Sequence, residues 1–444
     1  MNELEDLGSA LDGELLRPGE PKYDGARRPG IARFRDVRPR AVVRCASVRD
    51  VVRTVAFARD TGTQVVPRGG GHCFAGRSST SEGVVLDLGR LRTINVEGHG
   101  MAVIGSGARL GQVYDVLHQH RQILPLGCGL SVGVAGLTLG GGLGLLGRRH
   151  GLTCDSLVSA QVVLPDGLLV ECDAHREPDL FWALRGAGGG QLGVITSFTF
   201  TTVPEPQATH FEATWPEANA AEVIAAWQSW APDAPDDITA NLTVTTEPGH
   251  PLQVVVSGVA VRDIDTTLTL LNQLTTLADH HGELRVRDGI PHSELKRSIA
   301  IPDAREHDLR ASGRSELFSS ALPDTVVRGL LDALTTDQTR GRRHLSFFAL
   351  GGAYNRVDSD ATAFAHRTQR FLLDHLADDA DADKWLDHSW AIAHPHGTGR
   401  VYSNFPDPRL DNPGPAYHGD NLARLIAVKD HYDPARRFHF PQAA

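Results

Sequence analysis

Short apolar runs separated by glycine and proline turns dominate the first two hundred residues. Val42–Val43, Ser47–Thr61 and Gln64–Pro67 read in turn as strand, helix and strand. Ser47 is placed to cap the helix, and Val51, Val52, Val55 and Ala56 recur on one face at helical spacing. Gly83–Leu88 and Met101–Gly105 are short buried strands by the same reading, and Arg109–His120 is helical. Ser159–Leu164 and Leu168–Cys172 make a hairpin around Pro165-Asp166-Gly167, and Gly193–Thr201 is a further strand. A Pro-rich seam at 203–207 marks a boundary. Beyond it lie longer alternating strands, Asp237–Thr245 and Gln253–Val261, and helices at Thr266–Ala278, Thr325–Thr335 and Asp360–Leu376. The pattern predicts an α+β protein of two lobes: a first lobe over 1–204, and a second over 205–400 with an antiparallel sheet and helices. The tail, 401–444, carries a short helix at Asn421–His431 and returns to the first lobe.

Composition narrows the function classes. The 444 residues are 41% hydrophobic and 22% charged, with a formal net charge of -10. That is an ordinary globular balance with no basic face for nucleic acid. Basic residues are four lysines against forty arginines, as a GC-rich bacterial coding bias produces. The five cysteines (Cys45, Cys73, Cys128, Cys154 and Cys172) are odd in number and have no CxxC spacing, which argues against a disulfide framework and a zinc site. The acidic N-terminus does not read as a signal peptide, and no apolar run is long enough to span a membrane. The expected location is cytoplasmic. No heptads or long apolar stripe speak for assembly, so the oligomeric state is not readable.

Chemistry concentrates in three glycine-rich segments. Arg68-Gly69-Gly70-Gly71-His72 directly follows the strand Gln64–Pro67. Consecutive glycines allow positive φ and close approach of backbone N–H groups to an anion such as a diphosphate. Arg68 can add charge, and the neutral imidazole of His72 is a potential nucleophile, although a lone histidine is ordinarily a surface or satisfied core residue. The second segment runs from Val132 and Gly133 through Gly136, Leu137, Gly140, Gly141 and Gly144 to Gly151 and Asp155. Gly142, Gly144 and Gly147 match GxGxxG, but inside a longer glycine run, and the nearest acid, Asp166, sits in a turn; a nicotinamide-dinucleotide site is rejected. The run reads instead as a second backbone cradle for phosphates. The third segment, Asp179–Ile195, is a short amphipathic helix followed by more glycines than a helix cap needs.

Together these segments resemble the FAD-binding domain of the berberine-bridge-enzyme-like branch of the vanillyl-alcohol-oxidase (PCMH-type) flavoproteins. RxGGH matches Arg68 to His72, VGxxG with GGGxG matches Val132 to Gly144, GLxxD matches Gly151 to Asp155, and DLFWAxRGxG matches Asp179 to Gly188. The tail matches at Tyr402, Asn404, Asp407, Tyr417, Lys429 and Asp433, and the middle has a weaker echo at Gly351-Gly352-Ala353 with Ala363, Phe364, His366 and Arg367. The resemblance implies a two-lobed PCMH-type FAD domain made from the first segment and the tail. It implies FAD attached through His72, a diphosphate held by loops 68–72 and 133–144 with Gly76 nearby, the adenine end or the ring near Gly193 and Val194, and Asn404 at the cofactor. No metal is expected; HPHG at 394–397 lacks further ligands.

Two departures from the family pattern matter. Members with a second attachment use a Cys in CxxVG; here that position is Gly129 and the thiol, Cys128, is one residue out of register, so single attachment through His72 is favoured. The catalytic tyrosine closing YxNY is replaced by Phe405, which leaves Tyr402 and Tyr354 as candidate bases, with Asp387, His394 and His396 as other pocket residues. The resemblance implies oxidation of a small molecule, with hydride passing from a C–H bond to the flavin as a base takes the proton. Val132 at the head of the cradle leans toward O2 as final acceptor. The substrate expected is an alcohol, a sugar-like compound or a secondary metabolite. A dehydrogenase with another acceptor, or a flavin-binding protein without turnover, is the alternative.

Overall fold

The computed structural model describes residues 3–300, 312–338, 341–378 and 382–444. Its first sheet has the strand order Glu14–Leu16, Ala41–Arg44, Val84–Asp87, Val65–Arg68, the last three parallel. Buried valines on both faces of a parallel strand explain the unbroken apolar runs. The helix Val48–Thr61 crosses between two of these strands. Ser47 and Asp50 form a capping box at its start, and Gly62 ends it at φ 67°. Its Val51, Val55 and Ala58 pack on Val84, Leu86, Val163 and Val194. The strand Val65–Arg68 then delivers the chain into the loop of Gly69 to His72.

The second sheet is antiparallel, in the order Ile94–Glu97, Met101–Gly105, Val194–Thr201, Leu157–Val163, Leu169–Asp173. Its hairpin closes at Gly167, whose φ of 90° suits glycine. Helix Leu110–Gln119 seats Leu110, Val113, Tyr114 and Leu117 in the core beside it.

The third sheet has seven antiparallel strands, ordered Glu283–Pro291, Gln207–Trp215, Gln253–Ala260, Ile238–Thr246, Arg343–Ala349, Phe371–Ala377, Ser312–Phe318. Helices Ala220–Trp230, Ile264–Leu277, Asp324–Thr335 and Ala382–Ala393 cover one face. Trp227 there lies 5.7 Å from Phe347 and 5.9 Å from Phe371. The opposite face turns to the glycine loops of the first lobe, because Leu317, Phe348 and Leu372 cluster with Leu152, Tyr354 and Tyr402. No described helix is long and apolar enough to cross a membrane.

One element corrects the sequence reading. Asp360–Leu376 is not a helix: 360–370 is irregular, and Phe371–Ala377 is an interior strand of the large sheet. Phe371, Leu373 and Ala377 face the helices, while Leu372 faces the other lobe. With both faces covered, the strand has apolar residues at every spacing and mimics a helical stripe; pairing with two neighbours overrides the local pattern.

One buried ion pair joins distant segments, and another, four residues apart, ties down the tail. Arg367, almost fully buried, grips both carboxylate oxygens of Asp155 at 2.7 and 2.9 Å. Asp155 is therefore an anchor for the loop preceding the Phe371–Ala377 strand, a correction to its expected place at the cofactor. In the tail, the fully buried Lys429 donates to Asp433 at 3.0 Å and to the carbonyls of Phe438 and Gln191. Asp433 also accepts the N–H groups of Arg437 and Phe438. Removing one member of such a pair leaves the other buried and uncompensated. Lys429→Met is expected to lower stability by about 3–5 kcal/mol, measured by urea unfolding. Limited proteolysis should then cut first in the tail; an unchanged unfolding midpoint would show the clamp to be unimportant.

Candidate active site

The two glycine loops named above meet backbone to backbone. A methyl group built on Gly70 would lie 2.2 Å from the Gly133 nitrogen, and one on Gly133 would lie 2.2 Å from the Gly70 nitrogen. Neither loop can approach the other unless both residues lack Cβ. Beyond this contact, Gly136 is exposed with no atom within 4 Å of a Cβ position, and Gly69 meets only Ser106 at 3.4 Å and Ala135 at 3.8 Å. Gly189, on the third segment, meets Leu139 and Gly136 no nearer than 3.7 Å. The open backbone at Gly136, with Gly69 and Gly189 beside it, leaves a channel that a planar or phosphorylated group can approach. Gly133→Ala is expected to push the loops apart, costing about 1–3 kcal/mol and most of the bound flavin. The ratio of visible to protein absorbance reads this directly; full flavin content would show that the contact does not shape the channel.

His72 stands at the loop edge, half-buried, with Nε2 2.9 Å from the Ser131 hydroxyl. Ser131 belongs to the second loop, so the same contact that closes the channel orients the imidazole. Gly30 also lies against this edge of the ring, its Cβ position 3.1 Å from Nε2. Gly71 adopts φ 75° and Gly76 φ 71° packed on Phe34, so both serve the course of the loop.

The structure redirects several residues placed at the cofactor from sequence. Arg68 is buried, and its guanidinium donates to the carbonyls of Ala26, Arg27 and Ser78. It braces the loop from behind instead of facing an anion. The run after Leu139 is a packing seam, not a phosphate cradle. Gly140 makes room for the Asn404 amide, Gly141 for Phe364, Gly142 for Thr153 and Gly144 for the Leu126 carbonyl. Gly193 lies on the Val163 carbonyl, and the Val194 side chain is core. Asn404 donates to the carbonyl of Leu137 and to the Tyr402 hydroxyl, so it holds the seam together.

Both candidate tyrosines are tied into the glycine run. The Tyr402 hydroxyl oxygen accepts from the N–H of Gly142 at 3.0 Å, of Leu143 at 3.1 Å and from Asn404 at 3.0 Å. Burial pushes its pKa up, partly offset by these donors. Tyr354 exchanges hydrogen bonds with the backbone of Gly144, and burial pushes it far above its ordinary value. Both phenols pin the glycine seam. Asp387 and His394 are also committed elsewhere, to Arg314 and to the buried Glu316.

Sequence reasoning passed over one further carboxylate. Asp374 lies on the strand Phe371–Ala377, on the same face as Leu372, directly opposite Ser346 on one neighbour and Ser315 on the other. Thr243 extends this polar row, opposite Ser346. Leu372 pairs with Phe348, whose ring is 6.0 Å from Phe405; Phe405 in turn is 5.2 Å from Tyr402 and 6.3 Å from Phe74. No described residue donates to the Asp374 carboxylate, and burial alone pushes it up to about 7. An acid between Leu-Leu and His-Leu, out of step with apolar neighbours of a strand, was the available signal. Cys128 is exposed, close enough to Tyr354 and Tyr114 for its charge to raise both phenols when ionised. Among the described residues no three metal-ligating side chains converge.

Residues 39–173 match the model of an FAD binding domain, and 401–443 match the berberine and berberine-like model. The chain is 31% identical to the FAD-linked oxidoreductase YgaK of Bacillus subtilis over 98% of this chain and 97% of that protein. It is 30% identical to the xylooligosaccharide oxidase of Thermothelomyces thermophilus, over 91% and 87% of the two chains. The solved structure of Physcomitrella patens BBE-like 1 superimposes with a TM-score of 0.91 at 26% identity, covering 99% of this chain and 98% of that one.

Proposed function

We propose, on the premise that this chain belongs to the berberine-bridge-enzyme-like family of FAD-linked oxidoreductases, that Asp374 takes the hydroxyl proton of an alcohol- or sugar-like substrate as it is oxidised. The observation that carries this reading is the carboxylate itself: unpartnered among described residues, raised to about 7, and in line with Thr243, Ser346 and Ser315. A base with a pKa near the working pH is the efficient one. The serine and threonine hydroxyls can hold neighbouring substrate hydroxyls, and Phe74, Phe348 and Phe405 form an apolar wall against its carbon skeleton. The relative named for xylooligosaccharides supports the sugar-like choice.

FAD fits the channel between the loops of Gly70, Gly133 and Gly189, and when bound it supplies the two-electron acceptor of the oxidation. His72 is the proposed covalent attachment point, with Ser131 on Nε2 setting the imidazole so that Nδ1 makes the link. Cys128, the exposed thiol among the five, is the candidate for a second link. Molecular oxygen is the proposed final acceptor.

Oxygen uptake and peroxide release with xylo-oligosaccharides and simple alcohols test the reading. Peroxide formed in step with oxidised product supports it. Turnover that needs an artificial acceptor would make the protein a dehydrogenase, and a flavin left oxidised by the whole panel would remove the sugar- and alcohol-like class.

A further inference from the structure

The helix His292–Ile299 turns a polar face into the protein. His292, Ser293 and Lys296 are 2%, 0% and 0% exposed. Their spacing sets Lys296 between the other two on one helix face. That helix packs on Leu110–Gln119, whose Tyr114 ring lies 5.9 Å from Lys296 Nζ and 6.2 Å from the His292 ring. Tyr114 offers no oxygen here, since its hydroxyl is engaged with the carbonyls of Leu126 and Gly127 at 3.1 and 3.0 Å. Lys296 Nζ, His292 Nδ1 and Ser293 Oγ are all buried, and none has a hydrogen-bond partner among the described residues.

Three orphaned polar atoms gathered on one helix face call for an occupant. The described acids nearby are already engaged. Glu205 holds His118 and the Ser293 backbone N–H, Glu294 lies 3.8 Å from His118, and Asp115 pairs with Arg297. A buried ammonium without counter-charge is strongly unfavourable. Burial holds His292 down to about 3, and lowers His150, the other imidazole within reach, so both are neutral near pH 7. Among the described residues, Lys296 is therefore the cationic side chain that faces the site.

We propose that Lys296, Ser293 and His292 form an interior site for a small monovalent anion of halide type. The ammonium, the hydroxyl and the Nδ1–H tautomer of the imidazole donate to it. One positive charge matches one negative charge, which disfavours phosphate or sulfate. The occupant would brace the interface between helix His292–Ile299 and Tyr114, beneath the Leu126–Gly127 backbone that leads to Cys128.

The test is a crystal of the flavin-loaded protein grown in sodium bromide, with anomalous scattering recorded, together with thermal unfolding in sodium bromide against sodium sulfate at equal ionic strength. The expected result is an anomalous peak within hydrogen-bond distance of Lys296 Nζ and Ser293 Oγ. A saturable rise in Tm with bromide, small with sulfate, should be lost in Lys296→Met. Where Lys296→Met does not fold, Ser293→Ala should shift the bromide response to higher concentration. A water in place of the peak overturns the proposal, as does a bromide response equal in parent and variant. Neither result depends on substrate turnover, so it is independent of the oxidase reading.

Discussion

Asp374→Asn is expected to lower kcat by about two to four orders of magnitude, the usual worth of a positioned general base, with flavin content unchanged. The substitution is isosteric, removes the proton acceptor, and leaves the neighbouring serines in place. In the parent, activity should rise with pH through about 7, because burial holds the carboxyl there and only its ionised form accepts a proton. That rising limb should vanish in the variant. The same group has a stability signature of opposite sense. Its folded pKa lies above the ordinary value of 3.8, so the folded state binds the proton more tightly than the unfolded chain. Its contribution to stability is present below pH 3.8 and is lost as pH rises to about 7. Asp374→Asn should therefore match the parent's Tm in acid and exceed it at alkaline pH. A variant that kept the parental kcat and the rising limb would exclude Asp374 as the base.

His72→Ala is expected to abolish covalent flavin altogether. The channel formed by Gly70, Gly133 and Gly136 is untouched by that change, so the native variant should still bind flavin and look yellow. Acid precipitation separates the two states: parent protein should give a yellow pellet whose mass exceeds the polypeptide by one FAD, and the variant a colourless one. Ser131→Ala, which removes the hydroxyl from Nε2, should slow attachment without preventing it, because the nucleophilic ring remains. A yellow variant pellet of FAD-increased mass would move the link to another residue, with Cys128 first in line, and peptide mapping would locate it.

The two sites differ in how far they could be read from the chain. His72 announces itself because the strand, the glycines and the histidine are contiguous, and a turn of that composition has few conformations open to it. The helix Val48–Thr61 and the hairpin at Gly167 were equally legible, since a cap, a period and a turn dipeptide are local. Asp374 was hidden. It lies in a segment whose apolar residues satisfy a helix and a doubly covered strand alike, and only the strand register sets it in line with Ser346 and Ser315.

The glycine run of 140 to 144 was legible as a special backbone but not in purpose. Each of its glycines is required by a different long-range neighbour: Asn404 from the tail, Phe364 from the middle segment, Thr153 and Leu126 from the loops beside it. Tyr402 and Tyr354 read as chemistry in the sequence and became struts in the structure, since their hydroxyls meet backbone N–H groups of that same run. Sequence by itself determined the family, the cofactor class and the loop that presents His72, because those rest on short-range backbone geometry. Tertiary structure alone decided that Asp374 lines up with Ser346 and Ser315, and which neighbours the glycines make room for. Those outcomes depend on the pairing of strands hundreds of residues from the loops they cover, and on burial, which shifts a pKa only once the fold has closed around it.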